Sequence, residues 1–168
     1  GVSLVLPRAF SQACLFLGSG SVIHALSGEQ QMTAMGGLRS KIPHTYRTML
    51  IATLAIAGVP LLSGFFSKDL ILGETFLQGH PWLWALAALT AGLTAFYMFR
   101  LIKMTLFGEY RGPKETWDHV HESPATMTVV LWILAVDAVV VGYVGIPNFI
   151  VPGGNRFEAF LHPAFPAL

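Results

Sequence analysis

Lys68 is the residue of this sequence whose surroundings most clearly suggest chemistry. It lies in the run GFFSKDLIL, with apolar side chains before and after it. An ammonium group inside a bilayer-spanning segment is costly unless it faces a bundle interior or water, and it then marks an ion pathway. Desolvation also disfavours the charged amine, which brings proton exchange closer to neutral pH. Lys68 is therefore a candidate proton carrier. The alternative is a side chain that reaches the membrane interface while Asp69 caps a turn.

Further polar side chains lie in or beside apolar runs. His24 follows the small-residue run GSGS, where a histidine can relay protons or simply bond a neighbour at a helix end. Asp137 interrupts LWILAVDAVVVGYV and is either a functional carboxylate or a protonated or paired acid. His119, His121 and Glu122 superficially suggest a metal cluster. They occupy a short basic loop without further ligands, so we interpret them as a solvated turn and predict no metal site.

The composition predicts that these residues belong to a membrane protein. Of the 168 residues, 54% are hydrophobic and 11% are charged, and the mean hydropathy is +0.60. Soluble domains carry about 25% charged residues, so a solvated globular enzyme, a disordered segment and a nucleic-acid-binding protein are excluded. The net charge of +1 is too small to steer an acidic partner. The single cysteine, Cys14, excludes a disulfide framework.

The charged residues are clustered, and the gaps between the clusters predict membrane spans. A helix needs about 20 mainly apolar residues to cross a bilayer. The apolar runs show no period-2 alternation, which excludes strands. We therefore predict an all-α membrane protein with about four transmembrane helices within residues 1–150, followed by an amphipathic or irregular tail over 151–168. The predicted spans cover residues 3–26, 46–77, 81–107 and 125–146.

The basic residues predict the orientation in the membrane. The loops 27–47 and 100–124 carry seven of the ten Lys and Arg residues, whereas the turn 69–81 carries none. Both loops are therefore expected on the cytoplasmic or matrix side of a bacterial or organelle inner membrane. The first residues lack a basic segment, so no cleavable signal peptide is predicted. Because the chain starts at Gly1 inside an apolar stretch, we expect it to be part of a longer protein.

The second span is too long for one straight helix and contains residues that break helices. From Thr48 to Phe76 a helix would measure about 43 Å, against about 30 Å of hydrocarbon. Pro60 removes a backbone donor, and Gly58 and Gly64 flank it. We predict a discontinuity near Gly58–Gly64. Transporters use such breaks as ion sites, because unwound backbone at membrane depth must be buried in protein or line a wet cavity. A proline kink that only serves packing is the alternative.

Three long stretches carry a resemblance to a known family. They are LFLGSGSVIHALSGEQQMTAMGGLRSKIP (15–43), IATLAIAGVPLLSGFFSKDLIL (51–72), and LTAFYMFRLIKMTLFGEYRG (93–112) with HESP (121–124). Their order and spacing resemble the antiporter-like subunit L (chain 5) family of NADH-quinone oxidoreductase, respiratory complex I. Multisubunit cation/proton antiporters and membrane-bound hydrogenases share the fold.

The resemblance implies a role for each matched residue. The lysine of the family's GFFSKD motif, in the second half of a discontinuous helix, passes protons toward the far side of the membrane; here it is Lys68, with Asp69 beside it. The histidine of GSVIHA, near the proton-uptake side, corresponds to His24. Gln12 stands where the family has a relay lysine, and Arg8 where it has a histidine. A glutamine cannot exchange a proton, so the relay through this helix is interrupted, water-bridged or absent.

The resemblance also implies the function. The chain would be part of a proton-translocating membrane subunit of a proton-pumping NADH:quinone oxidoreductase, with no redox chemistry of its own. NADH, FMN, iron–sulfur clusters and quinone would be bound by other subunits. The expected partners are other membrane subunits and the lipid bilayer, and not nucleic acid. Asp137 departs from the family, which keeps that position apolar or small. A Na⁺/H⁺ antiporter subunit and a helical scaffold that moves nothing are the alternatives.

Overall fold

The chain folds into six α-helices in the part that the structure describes. The computed structural model describes residues 5–60 and 62–144, without the side chains of 5–7, 66, 67, 69, 70 and 142–144. No strand occurs in these residues, and the predicted all-α class is confirmed. Two short 3₁₀ turns, Met32–Ala34 and Leu38–Ser40, lie between the first two helices. The helices are α1 (Val5–Ala25), α2 (Pro43–Ala57), α3 (Ser63–Leu77), α4 (Pro81–Leu106), α5 (Lys114–His119) and α6 (Ala125–Val144).

The helix α4 is the clearest membrane span. Among the described residues it is the one helix both long and apolar enough to cross a bilayer, and Ala125–Val141 forms a shorter apolar stretch. The apolar side chains of α4 are largely exposed, for example Leu89 at 61% and Phe96 at 67%. An apolar surface of this kind suits contact with lipid or with another protein. The other predicted spans stay predictions, and the predicted tail over 151–168 lies outside the described residues.

The core lies where α1, α2 and α6 pack against one another. Cys14 and Leu15 of α1 meet Ala52 of α2 and Leu131 and Ala135 of α6 in one buried cluster. Small residues allow this close approach between helices. A second cluster joins the ends of α1 and α4 to the 3₁₀ turns and the start of α2.

The end of α2 has the hydrogen-bond pattern of a Schellman motif. Gly58 has a left-handed backbone, with φ of 83°, and donates its N–H to the carbonyl of Ala55 at 3.2 Å. Val59 donates its N–H to the carbonyl of Leu54, also at 3.2 Å. Glycine adopts this conformation without steric cost, which is why it commonly ends helices. The sequence around Gly58 therefore ends α2 by itself.

Pro60 and Gly64 play different parts at the discontinuity. Pro60 stands four residues after Ile56, where a continuing helix would need the N–H that proline lacks. Gly64 lies inside the first turn of α3, not in the break. A side chain at Gly64 would collide with the carbonyl of Ala55, so this glycine lets the start of α3 pass close to the end of α2. The second predicted span is thus two helices of 15 residues each.

Candidate functional site

Lys68 turns back from α3 to the end of α2. Its Nζ donates a hydrogen bond to the carbonyl oxygen of Ala57 at 3.2 Å, and the side chain is half-buried. Ala57 is the last residue of α2. The carbonyls at a helix C-terminus lack partners within the helix and carry a partial negative charge. The break therefore supplies the acceptor and the electrostatic partner of the ammonium group.

Gly58 also leaves room for the lysine side chain. A Cβ at this position would lie 3.0 Å from Cδ and 3.7 Å from Nζ of Lys68. Any larger residue would therefore push against Lys68, besides being strained by the left-handed backbone. The same glycine ends α2 and makes space for the amine.

A second cation from α1 acts on Lys68. Arg8 has an exposed side chain and interacts electrostatically with Lys68. Like charges repel, so Arg8 opposes the attraction that the end of α2 exerts on the ammonium. Gln12 lies one turn further along α1 and is exposed, and its side chain has no hydrogen bond to another described residue.

Among the described side chains, no ion pair joins Lys68 to Asp137, the predicted acid on α6. Asp69 follows Lys68 in α3, and its side chain lies outside the described residues. Asp137 is half-buried in α6, and its side chain has no hydrogen bond to another described residue. Its neighbour Ala138 accepts a hydrogen bond from the hydroxyl of Ser63, the first residue of α3. This hydrogen bond joins the start of α3 to α6.

His24 lies at the other end of the molecule from Lys68. It is sixteen residues beyond Arg8 on α1, which corresponds to about 24 Å. The exposed His24 ring meets the His121 ring edge-on, with the centroids 6.1 Å apart. Nδ1 of His121 in turn pairs with the carbonyl of His119 at 2.9 Å. Among the described residues, no group of three or more His, Cys, Asp or Glu could hold a metal ion.

The interpretation of Glu122 as part of a solvated turn was wrong. Glu122 is half-buried, and its carboxylate accepts hydrogen bonds from the His44 N–H at 2.8 Å and the Thr45 hydroxyl at 2.6 Å. The Thr45 N–H points to the same carboxylate at 3.4 Å. These N–H groups belong to the first turn of α2, which Ile42 cannot cap because it has no polar side chain. The lack of a capping side chain before Pro43 was the one signal in the sequence that pointed to a partner from elsewhere in the chain.

Two buried serines extend this arrangement. The Ser21 hydroxyl lies 2.8 Å from that of Thr45 and 2.6 Å from that of Ser123. Since the Thr45 hydroxyl donates to the carboxylate, Ser21 must donate to Thr45, and Ser123 to Ser21. We call Ser21, Thr45, Glu122 and Ser123 the Glu122 cluster. It joins α1, the start of α2 and the segment before α6.

Comparison with known proteins identifies the family. Residues 2–94, which include α1, α2, α3 and the break, match the family model described as NADH:quinone oxidoreductase/Mrp antiporter, TM. The chain belongs to this antiporter family. The family match covers both Lys68 and the glycine-proline discontinuity.

Several relatives of the antiporter family are similar over most of the chain. NAD(P)H-quinone oxidoreductase chain 5 of a Picosynechococcus species is 43% identical over 96% of this chain and 27% of its own length. NADH-quinone oxidoreductase subunit L of Rhodobacter capsulatus is 42% identical over 94% of this chain and 23% of its length. NADH-ubiquinone oxidoreductase chain 5 of Dictyostelium discoideum is 46% identical over 91% of this chain and 24% of its own length. The resemblance to subunit L (chain 5) is confirmed, and the chain spans about a quarter of the length of these relatives.

Proposed function

We propose that this chain is part of a proton-translocating membrane subunit of NADH-quinone oxidoreductase, and that Lys68 carries the proton at the helix break. The observation that supports this most directly is the hydrogen bond from Lys68 Nζ to the Ala57 carbonyl. The end of α2 attracts the ammonium, and Arg8 carries the same charge as Lys68. A lysine inside a membrane-spanning segment typically marks an ion pathway.

The remaining candidates would act around Lys68. Asp69 would accept the proton or tune the lysine. Gln12 cannot exchange a proton, so water would have to bridge its position, and Asp137 would be a further carboxylate along the path. His24 would take up protons at the far end of α1. The contact of His24 with His121 supports a location of the loops 27–47 and 100–124 at one end of the bundle. We propose that this end is the cytoplasmic or matrix side.

The names of the relatives support the assignment to a larger enzyme complex. All three are subunits or chains of NADH- or NAD(P)H-quinone oxidoreductases, which favours this complex over a Na⁺/H⁺ antiporter. Other membrane subunits and lipid would surround the chain, and NADH, FMN, iron–sulfur clusters and quinone would bind to other subunits. The exposed apolar side chains of α4 support contacts with lipid or such subunits.

Replacement of Lys68 tests the proposal. The full-length protein carrying Lys68→Met is assembled in its complex and reconstituted into liposomes, and proton uptake is measured at equal NADH oxidation by the hydrophilic subunits. We expect proton pumping to be lost, while Lys103→Met, a change of an exposed lysine on α4, leaves it intact. Unchanged pumping in the Lys68→Met complex would overturn the proposal and favour a scaffold that moves no protons.

A further inference from the structure

The start of α2 depends on a carboxylate from a distant part of the chain. Glu122 lies 77 residues beyond Thr45, yet it accepts hydrogen bonds from the first turn of α2. The N-cap position is Ile42, which forms no side-chain cap. The N–H groups of the first helical turn have no partners within the helix, and a carboxylate there also complements the positive end of the helix dipole. Glu122 therefore takes the place of the missing N-cap.

The Glu122 cluster holds this carboxylate in one position. Ser21 and Thr45 are fully buried, and Ser123 is 5% exposed. Each hydroxyl donates to the next group, and the last donates to the carboxylate. Removing one member would leave buried polar groups without partners, which costs more than the hydrogen bond itself is worth. The cluster is thus a well-defined anchor for the N-terminus of α2.

Residues of opposite charge bind the two ends of α2. Glu122 lies at its N-terminus, and Lys68 is bound to the carbonyl of Ala57 at its C-terminus. The helix has 15 residues and is about 22 Å long. A tilt of about 10° at the anchored end would move the Ala57 carbonyl by about 4 Å, more than the length of a hydrogen bond. The position of the acceptor of Lys68 therefore depends on the anchor.

We propose that Glu122 is a positioning residue for Lys68. Glu122 fixes the N-terminus of α2, so that the Ala57 carbonyl at the other end stays within reach of the Lys68 amine. This inference rests on the proposed function of Lys68 for its meaning in proton transfer. The effect of Glu122 on the surroundings of position 68 can be measured without proton pumping.

The first experiment measures the accessibility of position 68. Lys68→Cys is placed in the full-length protein within its complex, with every cysteine replaced except Cys14 and the introduced one, and the rate of modification by a small positively charged thiol reagent is measured. Glu122→Ala is expected to raise the rate at position 68 about fivefold, the factor that corresponds to the loss of a helix cap. The matched control is Glu115→Ala, since the Glu115 side chain is exposed and has no hydrogen bond to another described residue. It should leave the rate unchanged.

Cys14 serves as the internal control for general loosening of the bundle. It is buried, and its thiol contacts the carbonyls of Thr48 and Leu131 at 3.7 Å. Under the proposal, Cys14 stays protected while position 68 becomes reactive. Equal rates at position 68 in the Glu122→Ala and Glu115→Ala proteins, or simultaneous exposure of Cys14, would overturn it. If Glu122→Ala does not assemble, Glu122→Gln, which keeps one acceptor oxygen, is measured instead, with Glu115→Gln as its control.

The second experiment measures proton pumping with Lys68 in place. Glu122→Ala is expected to change the pH profile of pumping at equal amounts of complex, whereas mere loss of assembly lowers pumping equally at every pH. An unchanged profile would overturn the positioning role. The proposed function is tested separately by Lys68→Met. If that variant pumps normally, the role in proton transfer fails, and the thiol rates still decide whether Glu122 positions α2.

Discussion

The Nζ of Lys68 lies 3.2 Å from the carbonyl oxygen of Ala57, eleven residues earlier in the chain and on the other side of a helix break. A continuous helix would have used this carbonyl for its own backbone, so the lysine gains its partner because α2 stops at Ala57. The consequences of this contact can be tested at the amine, at the glycines around it and at the far end of α2.

Lys68→Arg separates charge from proton exchange. Arginine keeps a positive charge and can still donate to the Ala57 carbonyl, but it does not lose its proton in proteins. We expect the complex to assemble and to oxidise NADH, while proton pumping falls as far as in Lys68→Met. Proton uptake into liposomes measures this. Normal pumping by the arginine variant would show that a fixed charge suffices at position 68.

Gly58→Ala tests the space beside the lysine. The left-handed backbone costs a residue with a Cβ about 1–2 kcal/mol, and this Cβ would also press on Lys68. We expect a lower thermal unfolding temperature together with reduced pumping. Gly79→Ala is the matched control, because Gly79 has φ of 76° but no atoms within 4 Å of an added Cβ. It should lower stability and leave pumping intact, and equal pumping by both variants would contradict the prediction.

Gly64→Ala tests the close approach of α3 to the end of α2. The added Cβ would collide with the backbone carbonyl of Ala55, which cannot move without disturbing the end of α2. We expect a loss of stability of about 2 kcal/mol or more, as for overpacking against a rigid neighbour. Gly73→Ala, in the same helix but in open space, should be stabilising by about 0.5–1 kcal/mol. Thermal unfolding of the two variants gives the comparison, and equal unfolding temperatures would exclude the collision.

Thr45→Val tests the Glu122 cluster. Valine is similar in shape to threonine but lacks the hydroxyl that links the Glu122 carboxylate to Ser21. The carboxylate and the Ser21 hydroxyl therefore each lose one hydrogen bond. We expect a loss of about 1–3 kcal/mol in the free energy of unfolding. Thr90→Val is the control, because the exposed Thr90 hydroxyl bonds only the Leu86 carbonyl of its own helix. A similar small effect at both positions would show that the cluster contributes little to stability.

Local features of the sequence determined where the helices stop. Gly58 and Pro60 end α2 through backbone conformation and a missing donor, which depend on neighbouring residues alone. The charge gaps likewise predicted the apolar helix α4, and the motif around Lys68 identified the family. Lys68 could be recognised from the sequence alone, because a charged residue within an apolar run is unusual in a membrane-spanning segment.

Only the tertiary structure decided which groups meet. Whether Lys68 turns to the break, and whether Arg8 acts on it, depends on how α1, α2 and α3 pack. Glu122 was misread for the same physical reason: its partner on α2 is 77 residues away, and local spacing carries no information about a contact between helices. Sequence determines the ends and apolar faces of helices through local sterics and hydrophobicity, whereas hydrogen bonds between helices exist only once those faces have packed.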